Sequence, residues 1–172
     1  GEKVAVLGGG VIGLLVVQLA KLAGASEIVL ITRQKFRRDV ALKIGATRVI
    51  DPNSEDVNTA VTNMDVVFEC AGAVETFKQA QNISRRGGSV IVLGLTASDV
   101  TLEVNPFNIV VNELRIQGSF LNPLTQGRAA ELVESGKLNL DILISKVVDL
   151  AGVQAILDAP PAEGDIKYIA CP

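Results

Sequence analysis

The 172-residue sequence contains no histidine and no tryptophan, and its aromatic residues amount to 3%. Without histidine the chain by itself cannot assemble a Ser-His-Asp or Cys-His centre, or a histidine-ligated metal. With so few rings, its core has to be aliphatic. Cysteine is nearly absent too: Cys70 and Cys171 lie far apart and form no CxxC pair, which excludes a disulfide framework and a zinc ribbon. A reduced, cytoplasmic setting is the expectation. Neither sign of charge dominates, since 16 Lys+Arg stand against 19 Asp+Glu for a formal net charge of −3. A broadly basic nucleic-acid binder is therefore excluded. The longest apolar run, Val4 to Val17, includes four glycines and stops at Gln18. That is short of the roughly 20 residues a membrane span needs, and no secretory leader pattern accompanies it. No membrane partner is expected.

What is present is a chain able to bury a core. Hydrophobic residues make up 48% and charged residues 20%, which excludes disorder. The length suits one domain, with at most part of a second. The chain opens Gly-Glu-Lys without a methionine and reads as a piece of a longer protein.

Short Val/Ile/Leu runs alternate with helical spacings. Strands are expected at Val4–Leu7, Ile28–Ile31, Val49–Ile50, Asp65–Glu69, Val90–Leu93 and Leu114–Gln117. Helices are expected at Val11–Leu22, Lys35–Ile44, Glu55–Thr62, Val74–Ile83 and Arg128–Glu134, with Gly24 and Gly45 as stops and a turn at Gly87-Gly88. A long connection through Pro106 joins the last two strands. Continuous rather than alternating apolar strands are buried on both faces, which with intervening helices means a parallel sheet. The fold class is therefore α/β, a doubly wound parallel sheet of the Rossmann type with six strands in the order 3-2-1-4-5-6. After Gly136 the rhythm weakens into Val147-Val148, a helix near Val153–Leu157, Pro160-Pro161 and Lys167–Ala170. The expected division is a dinucleotide-binding domain at 1–137 and a C-terminal segment at 138–172.

Gly8-Gly9-Gly10-Val11-Ile12-Gly13 matches G-x-G-x-x-G between an expected strand and an expected helix. Gly8 allows the tight turn, Gly10 lets a pyrophosphate approach the backbone, and Gly13 lets the helix pack on the strand. The free N–H groups of Val11, Ile12 and Gly13 and the helix dipole would hold the phosphates. The fingerprint does not separate NAD, NADP and FAD. In NAD binders an acidic residue about 20 positions on takes the ribose hydroxyls. Here that place holds Thr32, followed by Arg33, Lys35, Arg37 and Arg38, with no carboxylate before Asp39. A 2′-phosphate carries about two negative charges, and arginine forks match its oxygens. NADP is expected as the preferred cofactor, with NAD as the alternative.

Residues after the later strands should line the same crevice: Cys70-Ala71-Gly72, Leu93-Gly94-Leu95 and Ser119-Phe120-Leu121. No catalytic or metal-ligating residue is selected. Cys70 has no histidine to activate it. Tyr168 has no lysine four residues on, and no spacing singles out Lys146, Lys167 or Glu69 for proton transfer.

Together, Gly8–Leu15, Gln18-Leu-Ala-Lys21 and Gly24-Ala25 resemble the cofactor domain of zinc-dependent medium-chain alcohol dehydrogenases. Glu69–Gly72, Gly87-Gly88, Val92–Leu95, Ile116–Phe120 and the ending Ile166–Pro172 are similar to the polyol branch, sorbitol dehydrogenase with its ketose-reducing and threonine-oxidising relatives. The resemblance implies a preceding GroES-like domain, absent from this sequence, that carries the catalytic zinc on Cys, His and Glu ligands. Residues 138–172 would pack back towards it. It also implies Ile12 at the pyrophosphate turn, Arg37 near the adenosine ribose, Leu93–Leu95 and Ser119–Leu121 beside the nicotinamide, and pairing of two copies through the last strand. Thr32 departs from the family's acid, and Leu121-Asn122 from the Arg-aromatic pair of some polyol dehydrogenases. The expected function is the cofactor-binding part of an enzyme moving hydride between NADP(H) and an alcohol or polyol or its ketone, without turnover alone. Alternatives are a regulatory NAD(P)-sensing module and the cofactor domain of a zinc-free quinone reductase.

Overall fold

The computed structural model describes residues 1–121, 124–159 and 162–172. Asn122, part of the departure noted above, and the Pro160-Pro161 pair lie outside the described residues.

Six strands form one parallel sheet in the order β3-β2-β1-β4-β5-β6. They are β1 Lys3–Leu7, β2 Glu27–Ile31, β3 Arg48–Ile50, β4 Met64–Glu69, β5 Ser84–Val92 and β6 Arg115–Gly118. Helices α1 Val11–Leu22 and α2 Lys35–Ile44 follow β1 and β2, while α3 Val57–Ala60 and α4 Val74–Ile83 flank β4. The alternation of side chains along β1 explains why its apolar run is unbroken. Val4 and Val6 pack with Leu14, Val17 and Ala20 of α1 and with Ala41 and Ile44 of α2. Ala5 and Leu7 face the other way, onto Val57, Ala80 and Ile83. Each helix presents its apolar stripe to one face of the sheet, and the order of strands reverses between β1 and β4. The sheet class and strand order are those read from the sequence.

Three local expectations need correction. The helix anticipated over 55–62 is the four-residue α3. Residues 51–55 are taken by a turn in which Ser54 and Glu55 donate to the Asp51 carbonyl, and Asp56 caps the short helix by accepting from Asn58. The turn at Gly87-Gly88 lies within β5 as a bulge: Ser84 pairs with Met64 and Ser89 with Val66. Gly87, at φ +72°, supplies the left-handed residue. The connection through Pro106 contains a helix, α5 Pro106–Val111, whose cap is the Asn105 side chain accepting from the Phe107 N–H.

After α6, Gln126–Glu134, a 3₁₀ turn Asp141–Leu143 leads to β7 Ile144–Val148, α7 Leu150–Asp158 and β8 Lys167–Ala170. β7 and β8 pair in parallel as a separate two-stranded sheet. This lobe is joined to the main core. Leu143 is buried among the residues of α1 and α2. The buried Gln18 amide of α1 donates to the Asn139 carbonyl (3.2 Å) and accepts from its N–H (2.7 Å). No helix among the described residues is long and apolar enough to cross a membrane.

Candidate functional site

The sheet's hydrogen-bond ladder continues past the strand ends and draws the predicted residues onto one edge. Gly8 donates to Ile31, Thr32 to Ile50, Cys70 to Leu7, Leu93 and Gly94 to Glu69, and Ser119 to Val92, all at 2.8–3.1 Å. The carboxyl ends of all six strands thus lie side by side, with the glycine loop and the Cys70 turn meeting where the strand order reverses.

The glycines of the loop are not equivalent. Gly8 sits at φ +109°, and a Cβ there would come 2.9 Å from the Cys70–Ala71 backbone. A Cβ on Gly9 would meet the Thr32 side chain at 2.9 Å, and one on Gly13 would fall on the Gly8 carbonyl oxygen. These three serve internal packing. Gly10 does not: no protein atom lies within 4 Å of where its Cβ would be, and its φ −71°, ψ −179° is open to any residue. Gly10 is also the N-cap of α1, with no side-chain cap and no acidic residue in the first turn. The first N–H groups of Val11, Ile12 and Gly13 have no intrahelical acceptor. A positive helix end with open space over a glycine suits an anion.

Beside this end, Thr32 lies against Gly9 and no carboxylate occupies its place. The basic cluster after it divides into four different situations. Lys35 is paired with Asp39 at 2.8 Å, and that hydrogen bond holds the Asp39 carboxyl below its usual range. Arg38 donates to the Thr32 and Arg33 carbonyls (2.7 and 2.8 Å) and pairs with Asp51 at 2.9 Å. It braces the turn that presents Thr32 and Arg33. Arg37 donates to the Asp165 carbonyl in the C-terminal lobe (3.2 Å). Arg33 is exposed, and its side chain makes no hydrogen bond or ion pair among the described residues. Composition alone could not tell these four cations apart.

Next to the glycine loop, Cys70 is half-buried, and burial pushes its thiol up to about 12, with Glu69 adding to the effect. It is a small packing residue, not a nucleophile. Leu95, Phe120 and Leu121 stand exposed at 68–77%, an apolar ledge after β5 and β6. Glu69 is the residue whose role the sequence did not single out. It is 1% exposed, and its Oε1 accepts from the Ala71 and Gly72 N–H groups at 2.9 Å each, with the Thr76 hydroxyl at 2.7 Å. Gly72 at φ +69° abuts Leu95, and a Cβ on Gly94 would run into Gly72 and Glu69. This carboxylate holds the turn after β4 to the start of α4, while the backbone carbonyl of the same residue accepts from Leu93 and Gly94 after β5. A buried acid immediately before Cys-Ala-Gly was the available signal, but its partners are backbone groups and cannot be read from composition.

Among the described residues no group of three or more His, Cys, Asp or Glu is placed to hold a metal. The residues described suit the phosphates of a dinucleotide and offer no donor set for a zinc ion.

The profile of the zinc-binding dehydrogenase family matches residues 11–135. Among similar proteins, L-threonine 3-dehydrogenase of Pyrococcus horikoshii is 35% identical over 153 residues, covering 84% of this chain and 44% of that protein. The zinc-type alcohol dehydrogenase-like protein YdjJ of Escherichia coli is 31% identical over 160 residues, covering 90% and 45%. A solved zinc-binding dehydrogenase structure from Sinorhizobium meliloti 1021, bound to NADP, superposes with a TM-score of 0.97 at 43% identity, covering all of this chain and 53% of that one. The chain spans about half the length of these relatives. The profile covers α1, the carboxyl ends of β2 to β6 and α6, and on that ground the chain belongs to the zinc-binding dehydrogenase family.

Proposed function

We propose that this chain is the NADP(H)-binding part of an alcohol dehydrogenase-type oxidoreductase, acting on an alcohol or polyol or its ketone once completed by a catalytic part. The bound cofactor supplies the hydride chemistry. This chain's residues bind and orient it. Gly8, Gly10, Val11, Ile12 and Gly13 form the pyrophosphate turn; Thr32, Arg33 and Arg37 face the adenosine ribose and its 2′-phosphate. Cys70–Gly72, Leu93–Leu95 and Ser119–Leu121 border the nicotinamide, with the exposed ledge of Leu95, Phe120 and Leu121 turned to a substrate part. Residues 138–172 form the segment nearest that part, and any zinc would be held by the catalytic part rather than by this chain's residues. The carrying observation is Gly10, a glycine that the fold itself does not require. The NADP in the S. meliloti relative supports the choice of dinucleotide. Two free cysteines are consistent with a reducing cytoplasm.

The test is a paired titration with NADPH and NADH followed by nicotinamide fluorescence. NADPH is expected to bind at least tenfold more tightly, about 1.4 kcal/mol. Arg33→Ala should reduce that ratio to near one while leaving NADH binding unchanged. Equal affinities in the unaltered chain would remove the NADP preference, and binding of neither would remove the dinucleotide reading.

Self-association belongs to the same proposal. β6 is an edge strand, and Phe107 and Val110 of the preceding α5 are exposed at 69% and 73%. Unpaired edges and apolar patches favour pairing of copies. Light scattering should give a multiple of the 18.1 kDa chain mass; the monomer mass at high concentration would count against it.

A further inference from the structure

We infer that Arg38 is a positioning residue that sets cofactor preference by masking charge: its guanidinium holds the Asp51 carboxylate and the Thr32 and Arg33 carbonyls to itself, and so withholds these oxygens from an incoming 2′-phosphate. The inference deepens the function proposed above and rests on it.

The sequence has no acid at the end of β2, but the fold brings one beside that place. Ile31 and Ile50 are partners at the last register position of β2 and β3, and the Thr32 N–H donates to the Ile50 carbonyl at 3.1 Å. Asp51 is the next residue, so its carboxylate stands one strand away from Thr32. The turn after β3 fixes it there. Its Oδ1 accepts from the Asn53 N–H at 3.0 Å, and its carbonyl accepts from Ser54 and Glu55. Left unpaired, this carboxylate would repel a phosphate far more than a ribose hydroxyl. Arg38 removes that charge. From α2 its side chain reaches back to the turn before the helix, where Nη2 pairs with Asp51 Oδ2 at 2.9 Å. Its Nη1 donates to the Thr32 and Arg33 carbonyls at 2.7 and 2.8 Å, which aims the negative ends of both dipoles at the guanidinium. The Arg38 and Asp51 side chains are only 15% and 24% exposed, so solvent screens them in part only. The other carboxylate of this stretch, Asp39, is paired with Lys35. Arg33 and Arg37 are thus left to meet the phosphate without a competing anion. A residue that merely stabilised the turn would serve NADPH and NADH alike, since the two share the pyrophosphate and the adenine. One that masks Asp51 favours the dinucleotide carrying the extra phosphate.

The test is a double-mutant cycle of Arg38→Met, Asp51→Asn and the two together, each chain titrated with NADPH and with NADH. Arg38→Met is expected to lower the NADPH:NADH affinity ratio at least fivefold. Adding Asp51→Asn should bring the ratio back to within twofold of the unaltered chain, because no unmasked carboxylate remains. Asp51→Asn alone frees the guanidinium charge and should raise the ratio at least twofold. An unchanged ratio in Arg38→Met, with both dinucleotides weakened equally or not at all, would overturn the inference. So would a fall that the double variant does not recover. If circular dichroism shows that Arg38→Met does not fold, Asp51→Asn decides: a ratio that fails to rise overturns the masking role. Should the unaltered chain bind neither dinucleotide, or both equally, the proposed function fails and the inference with it. A preference for NADPH that ignores all three variants overturns the inference alone.

Discussion

Gly13→Ala is expected to destabilise the chain by about 2–4 kcal/mol, whereas Gly10→Val should leave stability within about 0.5 kcal/mol and weaken NADPH binding at least a hundredfold. Both positions belong to one fingerprint, and the structure separates their reasons. A methyl on Gly13 would fall on the Gly8 carbonyl oxygen and near the Val6 side chain. Neither can yield cheaply, because Gly8 is itself bonded to Ile31 in the ladder and Val6 is fully buried. Relief requires α1 to lift from β1, opening the core beneath Leu14 and Val17. At Gly10 the backbone is ordinary and a side chain would project away from the protein. It costs the fold nothing and stands where a pyrophosphate would approach the helix end. Urea unfolding followed by circular dichroism, alongside the NADPH titration, measures both. A Gly13→Ala chain that unfolds like the parent would show that α1 can slide freely. A Gly10→Val chain that binds like the parent would take away the main support for the site.

Glu69→Ala should cost about 2–4 kcal/mol, and Glu69→Gln about half as much. The carboxylate is buried, and one of its oxygens accepts from two backbone N–H groups with a hydroxyl beside them. Alanine leaves those donors without their acceptor and opens a cavity between the turns after β4 and β5. Glutamine keeps an acceptor but loses the charge that strengthens each bond. Because the Gly72 and Gly94 turns form the wall beside the nicotinamide in the proposed site, the alanine variant should also bind dinucleotide more weakly under conditions where it remains folded. Denaturant midpoints for the three chains test this; an alanine variant as stable as the parent would mean the turn after β4 holds without the carboxylate.

Much of the architecture was legible because its causes are local. Val4–Leu7 and Ile28–Ile31 are apolar at every position since both faces of a central parallel strand are covered, and α1 and α2 carry their stripes at helical spacing. Gly24 and Gly45 sit at positive φ where those helices end. The strand order followed from the doubly wound pattern of strands and helices, with the right-handed crossover rule leaving few other topologies. Where the reading erred, a local competitor had won. Asp51 and Asp56 drew residues 51–56 into turns and shortened α3, and the Asn105-Pro106 cap began a helix too short for periodicity to reveal.

The sequence by itself determined the doubly wound sheet, the glycine turn and the missing acid at Thr32, because strand burial, helix spacing and loop sterics depend on residues a few positions apart. Only the tertiary structure decided which glycine the fold can spare, which arginine is left without a partner, and what Glu69 does. Those properties are set by contacts between strand ends and between α2 and Asp165. In those contacts the partners are mostly backbone carbonyls and N–H groups, which every residue carries and no sequence pattern marks.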